Sequence, residues 1–399
     1  MRVPSEPVHE PTPARVVHKR RRLLRGLAAS AGLGLLCAGE VLAQTAQRPG
    51  GRNEILIGRS SALTGPLAPF LVPIHEGSDA AIADFNAQGG VAGRKVRVLT
   101  LDDGFDAKRT MDNARQLVEH DGVVALFGQA GTSQVMALLP YLERTRTPLV
   151  AVYTGSVAPR AAGSRWLFTT SASYADELAQ ILRNLVAIQT TRIGVAYEDN
   201  DFGKLALPLI EKAAAAEGAT LVGAQPMRSD GGNAADAARA LAARQPQAVL
   251  MVAAGPPVVA YVRAHRAHVG VPLYTLSLGA GMQVIRALGE DARGLAVARS
   301  TPPPRRANLQ VTRDFQASMK RLNLEPDYDR YLGYLDARVL LEGLRAAGPT
   351  ATGESIARAM EALGQLDLGG HTYRFGPGER NGSRYVDIAV IGPGGQYVR

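Results

Sequence analysis

The sequence predicts an α/β protein of two similarly built lobes, each a parallel central sheet covered by helices. Three observations predict it. Short, continuous apolar runs alternate with segments of helical period, the pattern of strands buried on both faces. Two such series follow one another, the first opening at Glu54 and the second at Arg192. The last stretch changes period, with short strand-like runs around the breaker Gly376-Pro377-Gly378.

The amino end carries no fold signal before His18. There a basic run, HKRRRLLR, precedes the apolar stretch GLAASAGLGLLCAG and the small-residue site Val41-Leu42-Ala43. A basic start, a short apolar centre and small residues before a cut form an export signal. It is too short to span a bilayer comfortably, and cleavage is expected after Ala43. The arginines also allow twin-arginine export. The only cysteine, Cys37, follows Leu36, which is larger than a lipoprotein signal wants. The mature chain then has neither a disulfide nor a thiol nucleophile. Residues 1–43 hold seven Lys/Arg and three Asp/Glu, so the net charge of +9 falls to about +5 without them. The remaining basic residues are scattered. The one knot, Arg305-Arg306, follows three prolines and has no aromatic interleaving, so a nucleic-acid surface is excluded.

The first series runs strand 54–58, helix from 75 to a stop at Gly89-Gly90, strand 95–101, and a helix that Asp106 can cap. The stretch that organises the chain follows. Strand 123–127 ends in the loop Gly128-Gln129-Ala130-Gly131-Thr132-Ser133. Helix 134–144 leads to strand 148–152 and a second loop, Tyr153-Thr154-Gly155-Ser156. In open parallel sheets, small ligands bind beyond the carboxyl ends of the strands. Both loops sit there. They offer hydroxyls, a phenol and glycine backbone but no Cys, His or acid, a composition suited to holding a polar solute and poorly equipped for chemistry. Ordinary capped turns are the plain alternative.

At this point the order of "IxIGxxxxLTGPLA", "NAQGGVAGRKVRVLTLDD", "ALFGQAGTSQV" and "TPLVAVYTGS", continued by "SASYADE", "YEDNDFG" and "YVDIAVIG", resembles the periplasmic solute-binding proteins of ABC importers, in the leucine/isoleucine/valine-binding branch. It covers nearly all of the mature chain. The resemblance implies two Rossmann-like lobes joined by a three-segment hinge, the type I arrangement. Lobe 1 would comprise 52–170 and 300–365, lobe 2 would comprise 171–299 and 366–399, and a hinge fits closure around a ligand.

The second series reads as helix 174–188, strand 192–197, the loop Glu198-Asp199-Asn200-Asp201-Phe202-Gly203 opening a helix to 217, and strands at 220–224, 248–252 and 273–276. Strand 295–300 ends in a stiff proline run. Helices 309–322 and 328–347 follow, and by resemblance return to the first lobe.

The resemblance turns these loops into site candidates. Thr132 and Ser133 open a helix, whose N–H groups favour an anion; Gln129 and Gly131 lie in the same loop. Tyr153, Thr154 and Gly155 match the second ligand loop of lobe 1, with Tyr153 where the family has small residues. From lobe 2 come Tyr174, Tyr197, Phe202, Asp199 and Ser277. Phe70 is placed at the cleft mouth. Trp166, the sole tryptophan, is expected near the first interlobe crossing, where its fluorescence would report closure. His265 and His268 stand three apart but lack a third ligand and read as surface residues, so neither metal nor cofactor is expected. There is no nucleophile elbow and no phosphate loop.

The expectation is a periplasmic, monomeric, non-catalytic protein. It captures a small carboxylate, a branched-chain amino acid or a relative of one, for an inner-membrane ABC permease. A sensory module of the same fold is the alternative, and an enzyme is disfavoured by the loops' composition.

Overall fold

The computed structural model describes residues 53–65 and 67–398; the leader, its cleavage site and Cys37 lie outside the described residues. The first series forms a five-stranded parallel sheet from β1 (Glu54–Ser61), β2 (Lys95–Asp102), β3 (Ala125–Ala130), β4 (Leu149–Tyr153) and β5 (Leu167–Phe168), in the order β2-β1-β3-β4-β5. The seven residues Ile55–Ser61 and all six of β3 are buried, as strands covered on both faces require. The second series supplies β6 (Arg192–Glu198), β7 (Thr220–Met227), β8 (Ala248–Val252), β9 (Leu273–Thr275) and β10 (Ala296–Arg299), again paired in parallel.

The chain then returns. Helices Gln310–Arg321 and Tyr328–Ala347 bury Phe315, Tyr331, Tyr334 and Leu340 in the first core. A two-stranded ribbon follows, β11 (Gln365–Asp367) against β12 (Thr372–Arg374). Finally β13 (Asp387–Ile391) and β14 (Tyr397–Val398) add antiparallel strands beside β10, so the second sheet runs β14-β13-β10-β9-β8-β6-β7.

The ribbon corrects the boundary expected at 365. Tyr373 and Phe375 are each 2% exposed and belong to the first core, where the ring of Phe375 meets Phe168 edge-on. Backbone bonds Thr169 N–H to Arg380 O and Gly382 N–H to Thr169 O fasten the following residues to the same lobe. The last crossing therefore falls between Gly382 and Asp387. Trp166 is also displaced from its expected role. It is buried in the first core and donates from Nε1 to a Glu143 carboxylate oxygen at 3.0 Å, so it senses the interior of that lobe. His265 is buried as well, with Nε2 2.7 Å from the Val271 carbonyl, whereas His268 is exposed.

One helix crossing sets the cleft wall of the first lobe. Helix Ala68–Ala87 packs on helix Tyr328–Ala347 backbone to backbone. A Cβ at Gly77 would lie 1.8 Å from the Arg330 carbonyl oxygen, and one at Gly333 would lie 1.9 Å from that of Ile74. Only hydrogen fits at both positions. The crossing brings Phe70 and Asp329 to the same edge. Gly333→Ala is expected to cost roughly 2–4 kcal/mol, although alanine favours helix by about 1 kcal/mol. Chemical denaturation measures it; a neutral or stabilising change would show that the helices are free to part.

Candidate functional site

The cavity between the lobes is walled by loops and helix ends from both sheets. The first lobe contributes Phe70, Ile74, Val152 and Leu332, an apolar face. Behind it Leu71, Ile74, Ala62 and Ala130 form a small buried cluster that supports the face. Charged side chains from both lobes complete the lining. Glu177, Arg299 and Asp329 line the cavity with 1%, 4% and 6% exposure. The space left between the walls is about 60 Å³, room for a few waters or a small solute.

Each charged side chain is held by a specific partner. Glu177 lies one turn beyond Tyr174 on helix Tyr174–Ala187, whose start is fixed by a capping box between Ser173 and Asp176. Its two oxygens accept from the Ser277 backbone N–H at 2.8 Å and the Ser277 hydroxyl at 2.7 Å. Burial nevertheless raises its pKa to about 7, against the pull of those bonds and of Arg299 and Arg160. Arg299 ends β10. Its guanidinium donates to the Ala280 carbonyl at 2.6 Å and lies between the rings of Tyr328 and Tyr397, 4.8 and 4.7 Å from their centres. Asp329 stands 4.0 Å from it and accepts from the Met282 N–H at 3.0 Å. Burial raises Asp329 too, offset in part by Arg299.

The lobes touch across the cleft. Asp329 belongs to the long helix of the first lobe, and Met282 to the second. The Phe70 ring leaves no room for a side chain at Gly281, where a Cβ would approach it to 2.8 Å. Near the first crossing, the Tyr174 N–H donates to the Gly155 carbonyl at 2.7 Å. The Tyr174 ring lies over that glycine, 2.3 Å from where a Cβ would be. Phe202 backs the Tyr174 ring at a centroid distance of 5.3 Å. Arg160 pins the same loop, donating to the carbonyls of Thr154, Ser156 and Ser171.

Of the residues expected from sequence, the structure gathers Tyr153, Thr154, Gly155, Tyr174 and Ser277 around this cavity, with Phe70 beside them. The others do not line it, although Thr132 adjoins the lining through Thr154. Thr132 is half-buried, and its hydroxyl meets that of Thr154 at 2.8 Å. Ser133 is exposed. Neither is a cap: helix Thr132–Thr145 starts from Gly131 at φ 90°, and no side chain caps it among the described residues. Its first N–H groups therefore lack the hydroxyl partner that the plain alternative supplied. Gln129 is buried and donates to Asp103 and to the Ala130 carbonyl, a structural tie. Tyr197 is half-buried against the second lobe's core. Asp199 is exposed and paired with Lys204 at 2.8 Å.

Tyr153 faces away from its expected position. Its hydroxyl is buried near Gly128 and has no hydrogen-bond partner among the described residues. Burial and the neighbouring Asp336 carboxyl push its pKa well up. The ring, not the phenol, is what Tyr153 offers the cleft. Sequence reasoning missed Glu177, Arg299 and Asp329. For Glu177 a signal existed, because i, i+3 spacing puts it on the same helix face as Tyr174.

A family model described as periplasmic binding protein matches residues 54–396. The chain belongs to the periplasmic binding protein family. Among curated relatives, a Leu/Ile/Val-binding protein homolog 8 of Brucella abortus (strain 2308) is 27% identical over 180 residues, 42% of this chain and 44% of that protein. The match thus spans less than half of the relative's length. An extracellular ligand-binding receptor of Verminephrobacter eiseniae superposes with a TM-score of 0.79 at 27% identity, covering 87% of this chain and all of that one. A substrate-binding periplasmic protein of Ralstonia solanacearum gives 0.78 at 29%, covering 86% and 99%. Among the described residues of the present chain, no helix is long and apolar enough to cross a membrane.

The contact at Gly155 has a direct test. Gly155→Ala should destabilise the protein by roughly 1–3 kcal/mol, whereas in a Tyr174→Ala background, itself less stable for the lost ring, the same substitution should cost little. Strictly additive losses in thermal denaturation would mean that the ring does not occupy this space.

Proposed function

We propose that the protein is an extracytoplasmic solute-binding component of an ABC importer. It captures a small amphipathic carboxylate between its lobes and presents it to an inner-membrane permease. The observation that carries the ligand class is the meeting, in one small cavity, of an apolar face from the first lobe with buried charges of both signs supplied by the two lobes together. The ligand's apolar part packs on Phe70, Ile74, Val152 and Leu332. Its carboxylate takes the uncapped first turn after Gly131 together with the hydroxyls of Thr132 and Thr154, where the helix dipole favours an anion. An ammonium, where the ligand has one, meets Glu177 and Asp329. This supplies the acid that the loops alone lacked, and it favours an apolar α-amino acid over a simple carboxylate. The family, and the Ralstonia neighbour described as a substrate-binding periplasmic protein, support periplasmic residence. The leader read over 1–43 supplies the export route.

Calorimetric titration of the exported protein with leucine, valine, phenylalanine and their desamino analogues tests this reading. Glu177→Gln should weaken amino acids by roughly 1.5–3 kcal/mol, the scale of a lost bond to a charged group, and leave the desamino acids nearly unchanged. The pH dependence follows in sign. A ligand ammonium needs the ionised form of Glu177, whose pKa lies at about 7. Affinity for amino acids should therefore fall roughly tenfold per pH unit below that value and level off above it. Tight binding of uncharged amides alone would sink the carboxylate assignment.

A further inference from the structure

A second cavity shares no lining residue with the cleft. It is about 560 Å³ and opens where two of the three crossings pass, at Pro302-Pro303 and at 383–387, beside the β11–β12 ribbon. Its charged lining is Arg306, Arg374, Arg384 and Asp387. Some arginines of this protein pair with acids, among them Arg305 with Glu325, Arg345 with Glu342 and Arg380 with Glu361. The three arginines of the cavity make no ion pair among the described residues, and all three are exposed. Asp387 is already engaged, since its carboxylate accepts from the Ile388 N–H. His371 adds an independent sign. It lines the same cavity at 4% exposure, edge-on to the rings of Tyr373 and Tyr385, and its Nε2 has no partner among the described residues. A buried polar atom left unpaired costs about 1–3 kcal/mol, a cost that a ligand oxygen removes.

We propose that this cavity is a binding site for a small polyvalent oxyanion, held by the guanidiniums of Arg306, Arg374 and Arg384 with His371 at its floor. Guanidinium is the group that matches oxyanions, offering planar, two-pronged donation. Three of them around one opening attract an anion that carries several charges more strongly than a monovalent one. The volume readily admits an anion of pyrophosphate size. The position gives the site a consequence. Arg306 follows the second crossing, Arg384 lies in the third, and Arg374 belongs to the ribbon of the first lobe. An anion between them ties two hinge strands to that lobe. The inference does not depend on the identity of the cleft ligand.

The probe is pyrophosphate, titrated calorimetrically into the exported protein at fixed ionic strength in chloride. One saturable site is expected. Arg374→Gln and Arg384→Gln should each weaken it roughly tenfold or more, while the melting temperature without anion stays unchanged because both side chains are exposed. Glu177→Gln, in the cleft, should bind pyrophosphate as the parent does. Heats no larger than those of added chloride, an affinity indifferent to both arginine substitutions, or loss of binding in Glu177→Gln would each overturn the proposal. A phosphate on a lipid headgroup presents the same chemistry. Sedimentation with phosphatidylglycerol vesicles in the absence of pyrophosphate binding would assign the arginines to a membrane surface and would also overturn it.

Discussion

Arg299 is the charge on which the junction of the lobes depends. A buried guanidinium is costly unless its charge and its N–H groups are answered. In this protein the answers come from both sides. The second lobe provides the Ala280 carbonyl and the ring of Tyr397, and the first provides the ring of Tyr328 and the carboxylate of Asp329. Asp329 has the converse problem and solves it with Arg299 and the Met282 N–H. Neither residue keeps its full set of partners when the lobes separate; water must then replace them. Closure and the burial of this pair are thus one event, and the charged wall of the cleft exists in its present form only when the lobes meet.

The apolar wall has a different origin. It rests on two helices that touch through glycines, so that Phe70 and Leu332 come from distant parts of the chain yet stand side by side. The backbone contact fixes this face rigidly, and the small buried cluster behind it supports it. A solute entering the cleft meets the apolar surface and Asp329 of the first lobe, and Glu177 and Arg299 as the second lobe arrives. Gly155, Tyr174 and Arg160 hold the loop between these walls in register with the first crossing.

Much of the fold was legible because the strands are continuous apolar runs, and such runs mark parallel sheets with little ambiguity. Strand Ala248–Val252 and helix Tyr328–Ala347 lie where the sequence placed them. The ribbon did not, because a three-residue strand carries too little pattern to say which core receives Tyr373 and Phe375; tertiary packing alone decides that. The cleft loops of the first lobe were legible from their place after strands. The charged residues were not. Arg299 ends a strand that reads as purely apolar, and Asp329 sits in the first turn of a helix, where an acid is ordinary. Only the meeting of the two lobes gives them a shared role. Tyr153 shows the reverse error. It lines the cavity, but sequence does not say which way a ring turns, and the phenol is buried near Gly128.

Asp329 holds the lobes together through Arg299, and interlobe distance measures that directly. Spin labels on Lys108→Cys in the first lobe and Leu205→Cys in the second, both exposed positions, give the distance distribution by pulsed electron resonance. The protein with Asp329 intact should populate a short distance that Asp329→Ala shifts toward longer ones. The same distribution in both proteins would contradict the account.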